Sequence, residues 1–400
     1  MSHNAYIYDA IRTPRGIGKA GKGALYEVKP IDLVTNLLEA LKQRHDLDTT
    51  QIDDVILATG DPVGEQGSNI AKTAINYSSW DTVTTGAQLH RYCAGALDAV
   101  NVSAAKIMAG MEDLVCGGGV ESMSRVGMGA SGGAITDPWV QMKSLFISQG
   151  LGADLLASLD GFSREDVDRY ALNSQQRAAH ARDSGYFKSI VPVVDLNGVT
   201  ILDHDELIRE TSMEALGGLN PSFKMFNDFG HGDVARLRYP QVEDIPNIHT
   251  PGNSSGIVDG ASLVLLGSEQ AGREQGLTPR ARIRSFATIG TEPTIMLAGP
   301  APAAQKALRK AGMSMSDIDL VELNEAFASV VLHFQRELNV GDEKMNVNGG
   351  AIAMGHPIGA TGAMILGVLL DELERRDLQT GLCTLCAAGG IGIATIIERV

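Results

Sequence analysis

The 400-residue sequence predicts an α/β fold built from two related halves with a loop-rich segment inserted between them. Three observations predict it. Apolar strand-like runs alternate with helical spacings at the start of the chain, and the same order returns from Ala281 onward. Matching features of the two stretches are separated by nearly constant distances. Ile52 and Ile318 differ by 266 positions, Cys93 and His356 by 263, and Cys116 and Cys386 by 270. The segment between the stretches is polar and rich in Gly and Pro, so it reads as an insertion.

The elements follow in order. Ala5–Ala10 is a short run of strand formers, and Ile31–Arg44 carries Leu33, Leu37, Leu38 and Leu41 at helical spacing. Val55–Ala58 is a buried-strand candidate. Gly86–Leu89 leads into Cys93, and Ala94–Met108 reads as an apolar helix. Leu114–Cys116 runs into Gly117-Gly118-Gly119. In the second stretch Ala281–Ala287 is a strand, Ala301–Ala311 a helix and Ile318–Leu323 a strand. Gly355-His356 then leads into a helix over Ala360–Leu370, and Cys383–Ala387 closes as a strand. Apolar strands alternating with helices predict a mostly parallel sheet. The insertion holds a strongly helical piece, Ser163–Asp183, opened by a Ser cap and an acidic first turn. The expected division is 1–119 plus 250–275 for the first half, 120–249 for the insertion and 276–400 for the second half. The repeat is far longer than the 20–50 residues of a solenoid.

Composition narrows the function. Glycine supplies 46 of 400 residues, against an average of about 7%. No Gly-X-Y period exists, and 44% hydrophobic content excludes disorder, so the glycines belong to turns and close backbone approaches. The net charge of −15 disfavours nucleic acid and anionic membranes as partners. Four cysteines cannot form a disulfide framework. No run of 18 apolar residues occurs, no secretory leader is legible and no terminal address signal is present, so a cytoplasmic location is expected.

Several motifs carry chemistry. GIGKAGKG at 16–23 nearly spells a phosphate loop, but Pro30 follows too soon for the helix that such a loop needs. A basic surface loop is the simpler reading. Cys383-x-x-Cys386 lacks the two further ligands of a zinc site, and residues three apart on a strand point to opposite faces. No metal or cofactor is expected, and Cys116 and Cys383 read as buried hydrophobes. Cys93 is different. A thiol directly before a helix is expected to have a lowered pKa, and the small Ala94-Gly95-Ala96 leaves room for a substrate. A buried inert cysteine is the competing reading. His356, in GHPIGATG before the second-half helix, holds nearly the matching place, so the repeat would face a nucleophile with a base. Asn324 ends the Ile318–Leu323 strand, where α/β sites lie, and suits an oxyanion donor or a helix cap.

These residues resemble the thiolase family over essentially the whole chain. The segments are IRTPRG at 11–16, RYCAGAL at 91–97, GGGVESMSR at 117–125, NSSGIVDGA at 253–261, LNEAFA at 323–328 and NVNGGAIAMGHPIGATGA at 346–363. The chain looks most like bacterial degradative 3-ketoacyl-CoA thiolases, including the thiolase subunit of fatty-acid β-oxidation complexes. The resemblance implies a five-layered α-β-α-β-α arrangement of the two halves, with the insertion binding CoA. It implies a homodimer or homotetramer, with a hydratase/dehydrogenase subunit as a further candidate partner. It assigns Cys93 as the acylated nucleophile, His356 as its base and Cys386 as the acid/base cysteine. Asn324 would hold a water at the enolate oxygen, the amides of Cys93 and Ala388 would form an oxyanion hole, and Ser255 would contact pantetheine. Acyl-CoA and CoA are then substrates and no cofactor is needed. Three positions depart from the family pattern: His90 for Asn, Ala96 for Gly and Ala388 for Gly. An Ala388 held at positive φ would be strained. A biosynthetic acetoacetyl-CoA thiolase and a non-catalytic acyl-CoA-binding subunit are the alternative functions. Acyl-chain preference is expected to lie in Met123–Leu155 and Leu202–His249.

Overall fold

The computed structural model describes residues 4–400. The first half begins with β1 (Tyr6–Arg12), β2 (Gly16–Ile17) and α1 (Pro30–His45). Then come β3 (Asp54–Ala58), α2 (Ile70–Tyr77), β4 (Thr85–Leu89), α3 (Gly95–Met108) and β5 (Leu114–Ser122). The intervening segment carries α4 (Pro138–Ser144), α5 (Gln149–Asp160) and α6 (Arg164–Asp183), then a small ribbon of β6 (Val193–Val194) and β7 (Thr200–Leu202). Short helices α7 (Met213–Gly217), α8 (Lys224–Phe226) and α9 (Gly232–Arg238) precede β8 (Val258–Gly267) and α10 (Glu269–Glu274). The second half runs β9 (Ala281–Gly290), α11 (Pro300–Ala311), β10 (Leu320–Leu323), α12 (Ala328–Leu338), α13 (Ala351–Met354), α14 (Thr361–Arg376), β11 (Thr380–Ala387) and β12 (Ile391–Arg399).

The duplication is visible in the strand order. The main sheet runs β10-β11-β12-β9-β1-β8-β5-β3-β4, with β2 added to β8. Read outward from the β1–β9 seam, the two sides are built alike. In each, the strand nearest the seam pairs antiparallel with one neighbour, that neighbour with the next, and a parallel pair follows. Asp54 and Leu320 start equivalent strands, as do Leu114 and Thr380, while Gly95 and Thr361 start equivalent helices; each pair is 266 apart. That common offset corrects two of the sequence pairings. Cys93 corresponds to Gly359 rather than His356, and Cys116 to Leu382 rather than Cys386. The expectation of a mostly parallel sheet is also overturned. β8 and β12, neither of which the sequence marked as a strand, return beside their predecessors and pair antiparallel. β12 needs no crossover helix because only the turn Ala388–Gly390 separates it from β11.

Three apolar cores separate five layers. One lies under α1 and α2, a second between the two sides of the sheet around α3 and α14, and a third under α11 and α12, where α5 and α6 join it. α3 and α14 form the shared middle layer and touch both sides of the sheet. Their approach depends on absent side chains. A Cβ at Gly362 would stand 2.4 Å from the Leu97 nitrogen. One at Gly119 would stand 1.9 Å from the Gly359 carbonyl oxygen and 2.7 Å from that of Ala58. No helix begins within 16–23. That loop pairs through β2 and closes on Glu206, which accepts from the amides of Ile17 at 2.7 Å and Ala24 at 3.2 Å. Among the described residues no helix is long and apolar enough to cross a membrane.

Because backbone cannot move aside as a side-chain tip can, Gly119→Ala is expected to destabilise the fold by about 2–4 kcal/mol. Urea unfolding of variant and parent checks this, and an unchanged midpoint contradicts it.

Candidate active site

Cys93 sits in a tight turn, Tyr92–Ala94, between edge strand β4 and the start of α3. Tyr92 is held at φ 47°, a conformation a bulky side chain adopts rarely, and its ring meets His90 edge-on. The turn packs against β11 and α14, so elements of the second half surround it. The amides of Cys93 itself and of Ala388 are both directed at the Cys93 sulfur, and the thiol of Cys386 lies close enough for a charge on Cys93 to oppose its ionisation. Ala388 occupies no positive-φ position. The left-handed residues of that turn are Gly389 and Gly390, so the departure at Ala388 costs no backbone strain. Ala96 lies inside α3 and is likewise unstrained.

His356 precedes α14 by five residues rather than opening it, and its amide donates to Gly256 O at 2.8 Å. Its Nδ1 lies 2.5 Å from Thr361 Oγ1, and that hydroxyl donates its only hydrogen to Pro357 O at 2.9 Å. Thr361 must therefore accept from Nδ1–H, which assigns the tautomer and leaves Nε2 with a free lone pair. Nε2 faces the Asn324 side-chain amide at 3.4 Å. Asn324 follows β10 and is anchored through its own amide to Thr384 O at 3.1 Å, while its Oδ1 is buried without a partner. Ser255 is half-buried on the loop that joins these pieces. Its amide donates to Ala326 O at 3.0 Å, and the next residue, Gly256, holds His356.

Two buried carboxylates fix the loops. Glu121, in β5, accepts from the amide of Gly359 at 2.7 Å and from Gly60 and the Gln66 side chain at 2.5 Å each. It thus ties the first half to the loop carrying His356. Glu325 accepts from Tyr170 OH and Ser174 Oγ at 2.7 Å each and from the Ile352 amide at 3.0 Å. The sequence placed Glu121 and Glu325 in motifs without giving either a role. Thr361 was legible in principle, as a hydroxyl one helical turn beyond Pro357. Gln149, whose amide adjoins the Cys93 sulfur, had no sequence signal.

Electrostatics overturn one expectation. The helix terminus was expected to favour a Cys93 thiolate. Instead burial pushes its thiol up to about 12, outweighing its own amide and that of Ala388. Burial, aided by the Arg15 charge, presses His356 down to about 3. Burial, then the charge of Cys93, raises Cys386. The resting site is therefore neutral: thiol, imidazole, thiol. Cys383 and Cys386 face different cores, and Cys383 and Cys116 are buried among apolar side chains. Among the described residues no cluster of His, Cys, Asp or Glu is arranged to hold a metal ion.

A buried thiol that receives two backbone amides, a second thiol beside it and an imidazole whose tautomer is fixed form an arrangement suited to thiol-dependent acyl transfer, on a duplicated α/β scaffold. The comparisons agree. The thiolase N-terminal domain model matches residues 5–234, and the thiolase C-terminal domain model matches 277–399. A 3-oxoadipyl-CoA/3-oxo-5,6-dehydrosuberyl-CoA thiolase of Escherichia coli is 42% identical, covering 99% of both chains. A 3-ketoacyl-CoA thiolase of Cronobacter sakazakii is 41% identical, covering 98% of this chain and 99% of its own. Two solved structures superpose at TM-score 0.85, each covering 100% of this chain and 99% of its own. They are an acetyl-CoA acetyltransferase of Bacillus anthracis at 34% identity and a human mitochondrial 3-ketoacyl-CoA thiolase at 31%. The chain belongs to the thiolase family. Within it, the chain is an acyltransferase of the degradative kind.

Two outcomes test the site. Alkylation of Cys93 by iodoacetamide in the free enzyme should rise about tenfold per pH unit through the neutral range, following the thiolate fraction of a raised pKa. A rate flat from about pH 6 to 9 would instead reveal a standing thiolate–imidazolium pair. Thr361→Val should lower kcat about 10–100-fold with little change in KM, because the base loses its fixed tautomer, and Thr361→Ser should restore it. Equal loss in both variants would assign Thr361 a packing role only.

Proposed function

We infer that this chain cleaves 3-ketoacyl-CoA with CoA, giving acetyl-CoA and an acyl-CoA two carbons shorter, through an acyl group carried on Cys93. The observation that carries the assignment is the Cys93 sulfur lying between two backbone amides and beside a second thiol. His356 Nε2 takes the Cys93 proton as the sulfur attacks the 3-keto carbon. The bond between C2 and C3 breaks, and Cys386 gives its proton to C2 of the departing acetyl-CoA enolate. CoA then enters, and its thiol proton returns to Cys386. The CoA sulfur attacks the thioester, and Cys93 leaves and recovers its proton from His356.

Charge develops at two oxygens, so two donor sets are needed. The amides of Cys93 and Ala388 serve the tetrahedral oxygen. Asn324, through a water, and His356 serve the enolate. Ser255, on the loop between them, contacts the pantetheine arm. A neutral resting site suits this sequence, because no charge is stored in the buried pocket before substrate arrives.

The three-part division at 119, 249 and 275 remains our description of the chain, with the insertion supplying the CoA surface. A homodimer or homotetramer is supported by β4, an edge strand with partly exposed residues that a second copy can extend. A cytoplasmic enzyme without metal or cofactor completes the proposal.

Incubation with a 3-ketoacyl-CoA in the absence of CoA should leave an acyl adduct on Cys93, seen by peptide mass spectrometry. Cys386→Ala should slow thiolysis by about 10²–10⁴-fold. Absence of the adduct with the 3-ketoacyl-CoA still bound would favour a binding subunit. Activity confined to acetoacetyl-CoA would turn the reading toward condensation.

A further inference from the structure

One carboxylate oxygen holds both halves of the chain. Glu121 is buried in β5, and its Oε2 accepts from the Gly60 amide at 2.5 Å and from the Gly359 amide at 2.7 Å. Its Oε1 accepts from the Gln66 side chain at 2.5 Å and from the Asp61 amide at 3.3 Å. On the first-half side, Thr59 precedes Gly60 and donates its amide to Leu89 O at 3.3 Å, at the end of the strand that leads to Cys93. A Cβ at Gly95, just beyond Cys93, would lie 2.7 Å from that of Ala58. On the second-half side, Gly359 stands between His356 and Thr361, whose hydroxyl fixes the imidazole tautomer. A Cβ at Gly359 would lie 2.6 Å from the Thr59 Cα.

All four partners of Glu121 are N–H groups. Two donors on each oxygen fill the lone-pair sites of a carboxylate and leave no place for a proton. We propose that Glu121 is a positioning residue for Cys93 and His356, and that it aligns them only as an ionised carboxylate. A proton on Oε2 displaces Gly60 or Gly359, and one on Oε1 displaces Gln66 or Asp61. A misplacement of about 1 Å between reacting groups costs about 100-fold in rate.

The surroundings let that proton compete. Burial pushes the Glu121 carboxyl up to about 7 against the donors from Gln66, Gly60 and Gly359, and the charge of Asp61 adds to the rise. Among the described residues Glu121 forms no ion pair. Arg125 is committed to Glu65 at 2.5 Å, and Arg15 lies 3.5 Å from Asp205. The other titratable groups on the elements around it are Asp61 just after β3, Asp259 beside its β8 partner Gly260, Cys93 and His356. The reacting groups do not titrate near neutrality, because burial presses His356 down to about 3 and raises Cys93 to about 12. The alignment is therefore present above about pH 7 and is lost as the pH falls through that value. The 3′-phosphate of CoA titrates at about 6, so variants of the protein decide the assignment.

This inference rests on Cys93 and His356 as the reacting pair. The test follows kcat and KM for acetoacetyl-CoA and 3-ketohexanoyl-CoA in the full-length enzyme across the neutral range. In the parent, kcat should fall about tenfold from pH 8 to pH 6. Glu121→Gln keeps the volume but turns an N–H₂ toward one pair of donors. It should lose the pH dependence and lower kcat about 10–100-fold at pH 8, with little change in KM. Two further variants leave Glu121 in place. Asp61→Asn removes a charge that opposes its ionisation, so the transition should move to lower pH. Gln66→Met removes a donor, so the transition should move to higher pH. General loosening of the fold does not produce opposite shifts, and these two variants decide the matter if Glu121→Gln fails to fold. A transition unchanged in Glu121→Gln overturns the proposal and assigns the dependence to the CoA phosphate. Shifts of the same sign in the other two variants, or no shift in either, also overturn it. A parent rate that is constant across the range overturns it while leaving Cys93 and His356 in their roles. If the parent cleaves neither substrate at any pH, the reading of the reacting pair fails and this inference falls with it.

Discussion

The site depends on how closely the two halves meet. Gly119 in β5 lies directly against the Gly359 carbonyl, and Gly362 lies against the first turn of α3. Only residues without Cβ allow backbone to approach backbone at this distance. Glu121, two residues beyond Gly119, then uses that proximity. Its carboxylate receives the Gly359 amide from one half and the Gly60 amide from the other. The Cys93 turn and the His356 loop are thereby set against each other by main-chain contacts, which are stiffer than side-chain packing.

The segment between β5 and β8 is attached by the same means. Glu325, beside Asn324, is held by Tyr170 and Ser174 of α6. Asp168 of the same helix accepts from Asn253 at 2.7 Å, beside the Ser254–Ser255 loop. Asp205 receives Arg12 in a paired geometry, with both contacts at 2.8 Å, and also the Arg15 amide. Each of these carboxyl groups is buried and hydrogen-bonded, and the two arginines hold Asp205 below the usual carboxylate range although burial raises Glu325. Burial likewise disfavours charge on Cys93, His356 and Cys386. With no opposite charge to hold them ionised, the two thiols and the imidazole stay neutral, so the proposed chemistry would begin with a proton transfer.

Much of the fold was legible because the chain obeys simple periodicities. The Ser163 cap, the leucine spacing of α1 and the apolar runs of β3 and β10 placed elements to within a few residues. β8 and β12 were missed. Both are buried along nearly their whole length, so neither shows the alternation that marks a half-exposed strand, and their antiparallel return depends on partners distant in sequence. In the site, Cys93, His356 and Asn324 stood out because each sits at an element boundary among small residues. Thr361 and Glu121 did not, since their roles exist only through a hydrogen-bond partner.

The sequence by itself determined the duplication, the α/β class and the need for close backbone approaches implied by 46 glycines. These follow from local chemistry and from repetition along one dimension. The tertiary structure alone decided the true register of the repeat, the direction of the strands and the protonation of the site. It also decided which amides face the Cys93 sulfur. Burial and the orientation of donors are properties of residues brought together from distant parts of the chain, and no local pattern encodes them. The helix terminus before Cys93 argued for a thiolate, and the low polarity created by packing around it prevailed.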